Sequence, residues 1–198
     1  MKTVTVILAG GRSSRMGTDK ALLPVEGRPL LAVQAERWQG VFDELVISAD
    51  TRERFSTLEL GGARIVEDTC PGAGPMAALE AVMTAVPADL YFLTAVDLPF
   101  GDPALALELE RRMGDADACL IQREDRRWEP LFALYARTCL PALSVALDRG
   151  ERSFYRGLIP FVTVREVAEN SLSAFPLDRL LFNTNTLEEW YRAIDILR

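Results

Sequence analysis

Glycines and cations lie close together near the start of the chain. The apolar run 6–9 leads into Gly10 and Gly11, and Arg15 and Lys20 follow shortly after. Because glycine has no Cβ, the backbone N–H groups of such a turn can approach an anion closely. The guanidinium and ammonium groups then add positive charge. The segment therefore predicts a loop that binds a triphosphate.

Two carboxylates follow apolar runs further along the chain. Asp97 comes after the run 90–96, and Asp68 comes after the candidate strand 64–67. Each aspartate could simply cap the turn that follows its strand. A carboxylate at a strand end beside a phosphate loop is, however, where a Mg²⁺ ligand is needed, which makes Asp97 the candidate metal ligand.

The side chains that are missing restrict the chemistry. The chain has no histidine, which excludes Ser-His-Asp, Cys-His and His-zinc sites. Its three cysteines, Cys70, Cys119 and Cys139, form no Cys-x-x-Cys pair and indicate free thiols in a reducing cytoplasm. A metal site would be built from oxygen ligands, which suit Mg²⁺ or Mn²⁺.

Strands and helices alternate in the first part of the chain. Strands are predicted at 3–8, 45–48, 64–66, 90–94 and 118–122, and helices at 29–38, 75–86, 103–113, 137–148 and 187–197. This alternation predicts βαβ units, hence an α/β fold with a mostly parallel sheet in a Rossmann-like three-layer αβα sandwich. Because ligands bind at the carboxyl ends of such strands, the Gly10 loop and Asp97 are expected on one face.

Length and charge limit the function classes. The 198 residues are expected to form a single domain, 1–198. A net charge of −7 argues against nucleic-acid binding and against docking to a membrane surface. We also expect no export signal, because the apolar start is short.

The first segment carries a family signature. Leu8-Ala9-Gly10-Gly11-x-Ser-x-Arg-Met-Gly-x-Asp-Lys20 resembles the motif of MobA-like nucleotidyltransferases, the molybdenum cofactor guanylyltransferases. The resemblance is strongest over 1–25, is fair at 66–99 and 182–189, and is weak over 105–175. It implies a nucleotide-diphospho-sugar transferase-like fold, with a nucleotide-binding half at about 1–100 and an acceptor-binding half at about 101–198.

The resemblance also implies roles for individual residues. Leu8, Ala9 and Asp68 would position the nucleotide, Lys20 would bind it, and Asp97 would hold Mg²⁺, with Mn²⁺ as the alternative. We assign Arg15 to the phosphates from its charge.

Three further positions belong to the expected site. Ser48 stands where the family commonly has Asn, and it can make a single hydrogen bond there but cannot present an amide. Asn183 and Asn185 resemble the Asn-x-Asn of the family's closing segment and would form the floor near Asp97. Asx capping of a strand-to-helix junction is the alternative for these two residues. Leu187 replaces the usual proline of that segment.

The expected reaction is transfer of GMP from GTP to molybdopterin, with release of pyrophosphate. Transient contact with molybdoenzymes or with cofactor-biosynthesis proteins is a further expectation. A cytidylyltransferase, a sugar-phosphate nucleotidyltransferase and a non-catalytic nucleotide-binding homologue are the alternatives.

Overall fold

The computed structural model describes residues 1–10, 19–70, 72–184 and 186–197. The strands are β1 (Thr3–Leu8), β2 (Pro24–Val25), β3 (Arg28–Pro29), β4 (Glu44–Ala49), β5 (Arg64–Glu67), β6 (Leu90–Ala95), β7 (Ala118–Gln122), β8 (Ala133–Ala136) and β9 (Val164–Ala168). The helices are α1 (Leu30–Trp38), α2 (Pro75–Ala85), α3 (Pro103–Met113), α4 (Leu140–Asp148), α5 (Leu177–Leu180) and α6 (Leu187–Leu197).

Within this described part, the main sheet has seven strands in the order β5-β4-β1-β6-β8-β7-β9. The pairs from β5 through β6 are parallel, and so is the pair of β7 with β9. Strand β8 runs antiparallel to both of its neighbours. The predicted mostly parallel α/β sheet is thus confirmed.

Helices cover both faces of the sheet. The cluster on one face contains residues of α1 and α3, such as Trp38 and Leu109. The cluster on the other face contains residues of α2 and α4, such as Leu79 and Leu143. Alternating side chains of the buried strands feed the two clusters, because successive strand residues point to opposite faces. The result is the expected three-layer arrangement.

The helix ends follow the sequence signals. Gly74 precedes α2 with φ 87°, a conformation that favours glycine, and Pro75 begins the helix. The Asp102 carboxylate caps α3 by accepting from the Ala104 amide at 2.8 Å. Thr186 and Glu189 exchange side-chain to backbone hydrogen bonds of 2.8 and 3.1 Å, which is a capping box at the start of α6.

Some elements differ from the prediction. Pro29 ends β3 and precedes α1, because it pairs with Pro24 in a small hairpin. Neither the antiparallel strand β8 nor β9 had a counterpart among the predicted strands. Both lie in the part of the chain where the sequence pattern is weakest.

None of the helices in the described ranges is both long and apolar enough to cross a bilayer.

Candidate functional site

The carboxyl ends of four neighbouring strands meet at one edge of the sheet. The Val96 amide donates to the Leu8 carbonyl at 3.0 Å, and the Ala9 amide donates to the Ser48 carbonyl at 2.9 Å. The Asp68 amide donates to the Ala49 carbonyl at 2.8 Å. Residues that follow β1, β4, β5 and β6 therefore share the edge where open α/β sheets bind ligands.

Asp97 lies at this edge beside Lys20. The Asp97 Oδ2 atom is 3.9 Å from Lys20 Nζ, and the two side chains are 22% and 17% exposed. Burial raises the pKa of the Asp97 carboxyl, and the Lys20 charge and a hydrogen bond from Asn183 oppose that rise. The predicted convergence of the N-terminal segment and Asp97 is confirmed for these two residues.

The segment before α6 is hydrogen-bonded to the turn that carries Asp97. The Thr184 amide donates to the Asp97 carbonyl at 2.9 Å, and Thr184 is 1% exposed. Asn183, the residue before it, reaches the Asp97 carboxylate with its side chain. Asn183 therefore lies against Asp97, and its role in the floor of the site stays a prediction. Asn185 lies outside the described residues.

Two oxygen atoms at this point suit a divalent cation. Asp97 Oδ1 and Asn183 Oδ1 are buried and have no hydrogen-bond partner within the described part of the chain. A carboxylate oxygen and an amide carbonyl oxygen are hard ligands of the kind that Mg²⁺ and Mn²⁺ accept. Across the same ranges, no three Asp, Glu, Cys or His side chains cluster around one point. Substrate phosphates and waters complete the ligand set in many Mg²⁺ sites that use only one or two carboxylates.

Asp68, Ser48 and Gly10 form a second group at the edge. The fully buried Ser48 hydroxyl donates to Asp68 Oδ1 at 2.5 Å. Burial raises the pKa of Asp68, the Ser48 hydrogen bond opposes this, and the nearby Asp50 charge raises it further. A Cβ on Gly10 would lie 2.7 Å from Asp68 Oδ2. The space that Gly10 leaves is therefore filled by this carboxylate, and Ser48 fixes its orientation.

Of the remaining predicted site residues, some lie at the end of β1 and others lie outside the described residues. Leu8 and Ala9 are buried at the end of β1, where their backbone pairs with neighbouring segments. Gly11 and Arg15 lie outside the described residues. The direct contact of Ser48 with a nucleotide stays a prediction.

Two residues at the site were not found from the sequence. Arg54 binds the carboxylates of Asp19 and Asp50. Gln34, which is 1% exposed on α1, donates to the carbonyls of Val96 and Leu98 on either side of Asp97. A glutamine on the apolar face of a helix and the Asp50-x-x-x-Arg54 spacing are the signals that could have revealed them.

The fold and the comparisons with known proteins define a class of protein. A mostly parallel sheet between two helical layers, with carboxylates and a lysine gathered at the strand ends, is the nucleotide-diphospho-sugar transferase fold. The family match and the named relatives define the class of protein as a nucleotidyltransferase. The chain is a member of the family described as the MobA-like NTP transferase domain, which matches residues 5–169.

Individual relatives agree with this assignment. A protein of Pelotomaculum thermopropionicum named "probable molybdenum cofactor guanylyltransferase" is 32% identical over 194 residues, which cover 98% of this chain and 92% of the relative. The structure of molybdopterin-guanine dinucleotide biosynthesis protein A from Archaeoglobus fulgidus is similar, with a TM-score of 0.82, 23% identity and 98% of each chain covered.

A Mycobacterium tuberculosis protein solved in complex with manganese has a TM-score of 0.68 at 18% identity, with 98% of this chain and 99% of that one covered. At these identities, the two solved structures support the fold.

Proposed function

We propose that this nucleotidyltransferase transfers GMP from GTP to the terminal phosphate of molybdopterin, releases pyrophosphate and forms the guanine dinucleotide. The observation that carries the proposal is the grouping of Lys20, Asp97 and Asn183 at the edge of the sheet where Asp68 also follows β5. The name of the Pelotomaculum relative supports the choice of nucleotide and acceptor. The nucleotide would bind to the half at about 1–100, and the acceptor would bind to the half at about 101–198.

Asp97 and Asn183 would hold a divalent cation, Mg²⁺ or Mn²⁺, through their two unpartnered oxygen atoms. When bound, such an ion supplies positive charge that stabilises the phosphates in the transition state. The Lys20 ammonium group lies beside Asp97 and would neutralise the phosphates from the protein side. Arg15, Gly10 and Gly11 would add donors to the same anion.

Asp68 would select guanine. A carboxylate accepts two hydrogen bonds, and the N1–H and N2–H groups of guanine are two adjacent donors. The hydrogen bond from Ser48 holds the Asp68 carboxylate at the end of β5, close to Gly10. Cytosine and uracil do not present this pair of donors, so the arrangement favours GTP over CTP and UTP.

The reaction requires no general base from the protein. A phosphate monoester is already ionised near neutral pH, and its oxygen is the attacking nucleophile. The absence of histidine from the chain is consistent with this. The tasks of the protein are to position the two phosphates in line and to balance their charge.

The same site is compatible with two alternative functions. A related cytidylyl- or sugar-phosphate nucleotidyltransferase would use the same Lys20 and Asp97 with another base or acceptor. A non-catalytic homologue would bind nucleotide without turnover. For the proposed enzyme we expect a cytoplasmic location and transient contact with molybdoenzymes or cofactor-biosynthesis proteins.

The test is pyrophosphate release from GTP, CTP, ATP or UTP with Mg²⁺, using molybdopterin or a panel of sugar 1-phosphates as the acceptor. We expect release with GTP and molybdopterin, and a loss of at least about 100-fold in Asp97→Asn. Asp89→Asn is the matched control, because the exposed Asp89 precedes β6 at the opposite edge of the sheet and binds the Lys2 amide.

Each other outcome selects an alternative. Release with a sugar phosphate would identify the related enzyme class. GTP binding without release under any acceptor would identify the non-catalytic homologue and contradict the proposal.

A further inference from the structure

The guanidinium of Arg54 is surrounded by acceptors. Arg54 belongs to a 3-10 helix (Glu53–Phe55) after β4, and its side chain is 15% exposed. Its Nε donates to Asp19 Oδ2 at 2.7 Å, and its Nη2 lies 2.6 Å from Asp19 Oδ1. Its Nη1 donates to Asp50 Oδ1 at 2.6 Å and to the Ala9 carbonyl at 3.0 Å. This is a bidentate pair with two further bonds.

The partners of Arg54 flank the triphosphate-binding segment that the sequence predicts. Ala9 is the first residue after β1, and Asp19 directly precedes Lys20. The Asp19 carboxylate also caps the 3-10 helix Lys20–Leu22 by accepting from the Ala21 amide at 3.0 Å. Arg54 is therefore connected through Asp19 to the backbone that carries Lys20. One side chain fixes the end of β1 and the Lys20 turn relative to each other.

Arg54 also balances the charges of the carboxylates around it. Asp19 and Asp50 are each 22% exposed and share the single positive charge of Arg54. Asp50 also acts on Asp68, whose carboxyl pKa it raises. Without the guanidinium, two carboxylates would stand uncompensated beside the place where an anionic triphosphate is expected. They would repel that ligand.

We propose that Arg54 is a positioning residue for the nucleoside triphosphate, holding Ala9 and the Asp19–Lys20 turn in register and neutralising Asp19 and Asp50. The inference rests on the proposed function and adds to it a residue that does not itself contact the nucleotide. It predicts that Arg54 governs nucleotide affinity more than the chemical step. Lysine at this position supplies the charge but not the planar fork, so it restores only part of the effect.

The experiment compares wild type, Arg54→Met and Arg54→Lys in two assays. One is equilibrium binding of GTP with Mg²⁺, and the other is the KM and kcat of pyrophosphate release. We expect Arg54→Met to weaken GTP binding and raise KM by roughly tenfold or more, with a much smaller change in kcat. We expect the GTP affinity and KM of Arg54→Lys to lie between those of wild type and Arg54→Met. Arg111→Met is the control, because that exposed arginine pairs with Glu108 on α3.

A second variant separates charge from structure. In Arg54→Met, the added change Asp50→Asn removes one uncompensated carboxylate, so we expect it to recover part of the lost GTP affinity. If Arg54→Met unfolds, the same comparison is made with Arg54→Lys and with Arg54→Lys combined with Asp50→Asn.

The inference is overturned by unchanged GTP affinity in folded Arg54 variants, or by a fall in kcat alone. Wild-type protein that binds GTP but releases no pyrophosphate would instead contradict the proposed function and leave the binding comparison valid.

Discussion

Lys20 Nζ lies 3.9 Å from Asp97 Oδ2, although one residue follows β1 and the other follows β6. The contact is possible because β1 and β6 are adjacent parallel strands with Leu8 opposite Ala95. The pair places an ammonium group and a partly buried carboxylate at one point of the sheet edge. A phosphate with its metal ion needs both kinds of group.

Replacement of Lys20 should remove transition-state stabilisation. We expect Lys20→Met to lower kcat/KM for pyrophosphate release by roughly 100-fold, and Lys20→Arg to retain more activity than Lys20→Met because it keeps the charge. The chain has one other lysine, Lys2, which pairs with Glu44 at 2.6 Å near the start of β1. Lys2→Met is therefore the matched control. Equal losses in both Met variants would contradict a specific role for Lys20.

A methyl group at Gly10 should displace Asp68. The added Cβ of Gly10→Ala would lie 2.7 Å from Asp68 Oδ2, so the carboxylate must move. We expect GTP affinity to fall by roughly tenfold in equilibrium binding. The control is the same change in an Asp68→Ala background, where the contact no longer exists and Gly10→Ala should cost little. A similar loss in both backgrounds would show that the glycine acts in another way.

Gln34 should stabilise the turn that carries Asp97. Its Nε2 donates to the Val96 carbonyl at 3.1 Å and to the Leu98 carbonyl at 3.3 Å. Gln34→Leu leaves both carbonyls without this donor, so we expect the free energy of unfolding to fall by about 1–2 kcal/mol and kcat to fall with it. Urea unfolding and pyrophosphate release measure the two effects.

The control for Gln34 is a surface glutamine with a similar bond. The exposed Gln39 donates to the Gly61 carbonyl at 2.8 Å, away from Asp97. Gln39→Leu should change the free energy of unfolding by no more than about 0.5 kcal/mol and leave turnover intact. An equal effect of the two variants on turnover would argue against a positioning role for Gln34.

The buried thiols should make stability depend on alkaline pH. Burial raises the pKa of Cys119 to about 11 and that of Cys139 to about 12, above the ordinary thiol value of 9.0. The folded state therefore holds these protons when the unfolded state has lost them. The two buried thiols therefore stabilise the folded state fully below about pH 9, and this part of the free energy of unfolding is lost as the pH rises toward their folded pKa values.

Urea unfolding from about pH 8 to about pH 10.5 tests this linkage. We expect the free energy of unfolding to fall with pH more steeply in wild type than in a Cys119→Ala Cys139→Ala variant. Cys70→Ala is the control for the removal of a thiol as such, because the Cys70 side chain is exposed. Parallel slopes for all three proteins would contradict the assignment.

The sequence by itself determined where most strands and helices lie and which residues end them. Asp97 and Asp68 were found because an apolar run followed by a carboxylate is a local signal. Their proximity to the N-terminal segment followed from a general rule, since parallel strands end at the same edge. The capping box at Thr186 was also visible, because its two residues are neighbours in the chain.

Only the tertiary structure decided which distant side chains meet. The hydrogen bond from the buried Ser48 hydroxyl to Asp68 joins the ends of two strands and could not be read from the sequence. Arg54 joins segments from β1, β4 and the Lys20 turn, and Gln34 reaches across from α1 to the Asp97 turn. The physical reason is distance along the chain. Periodicity and turn residues are signals that span only a few positions, whereas these contacts depend on how distant segments pack and on which way each side chain points.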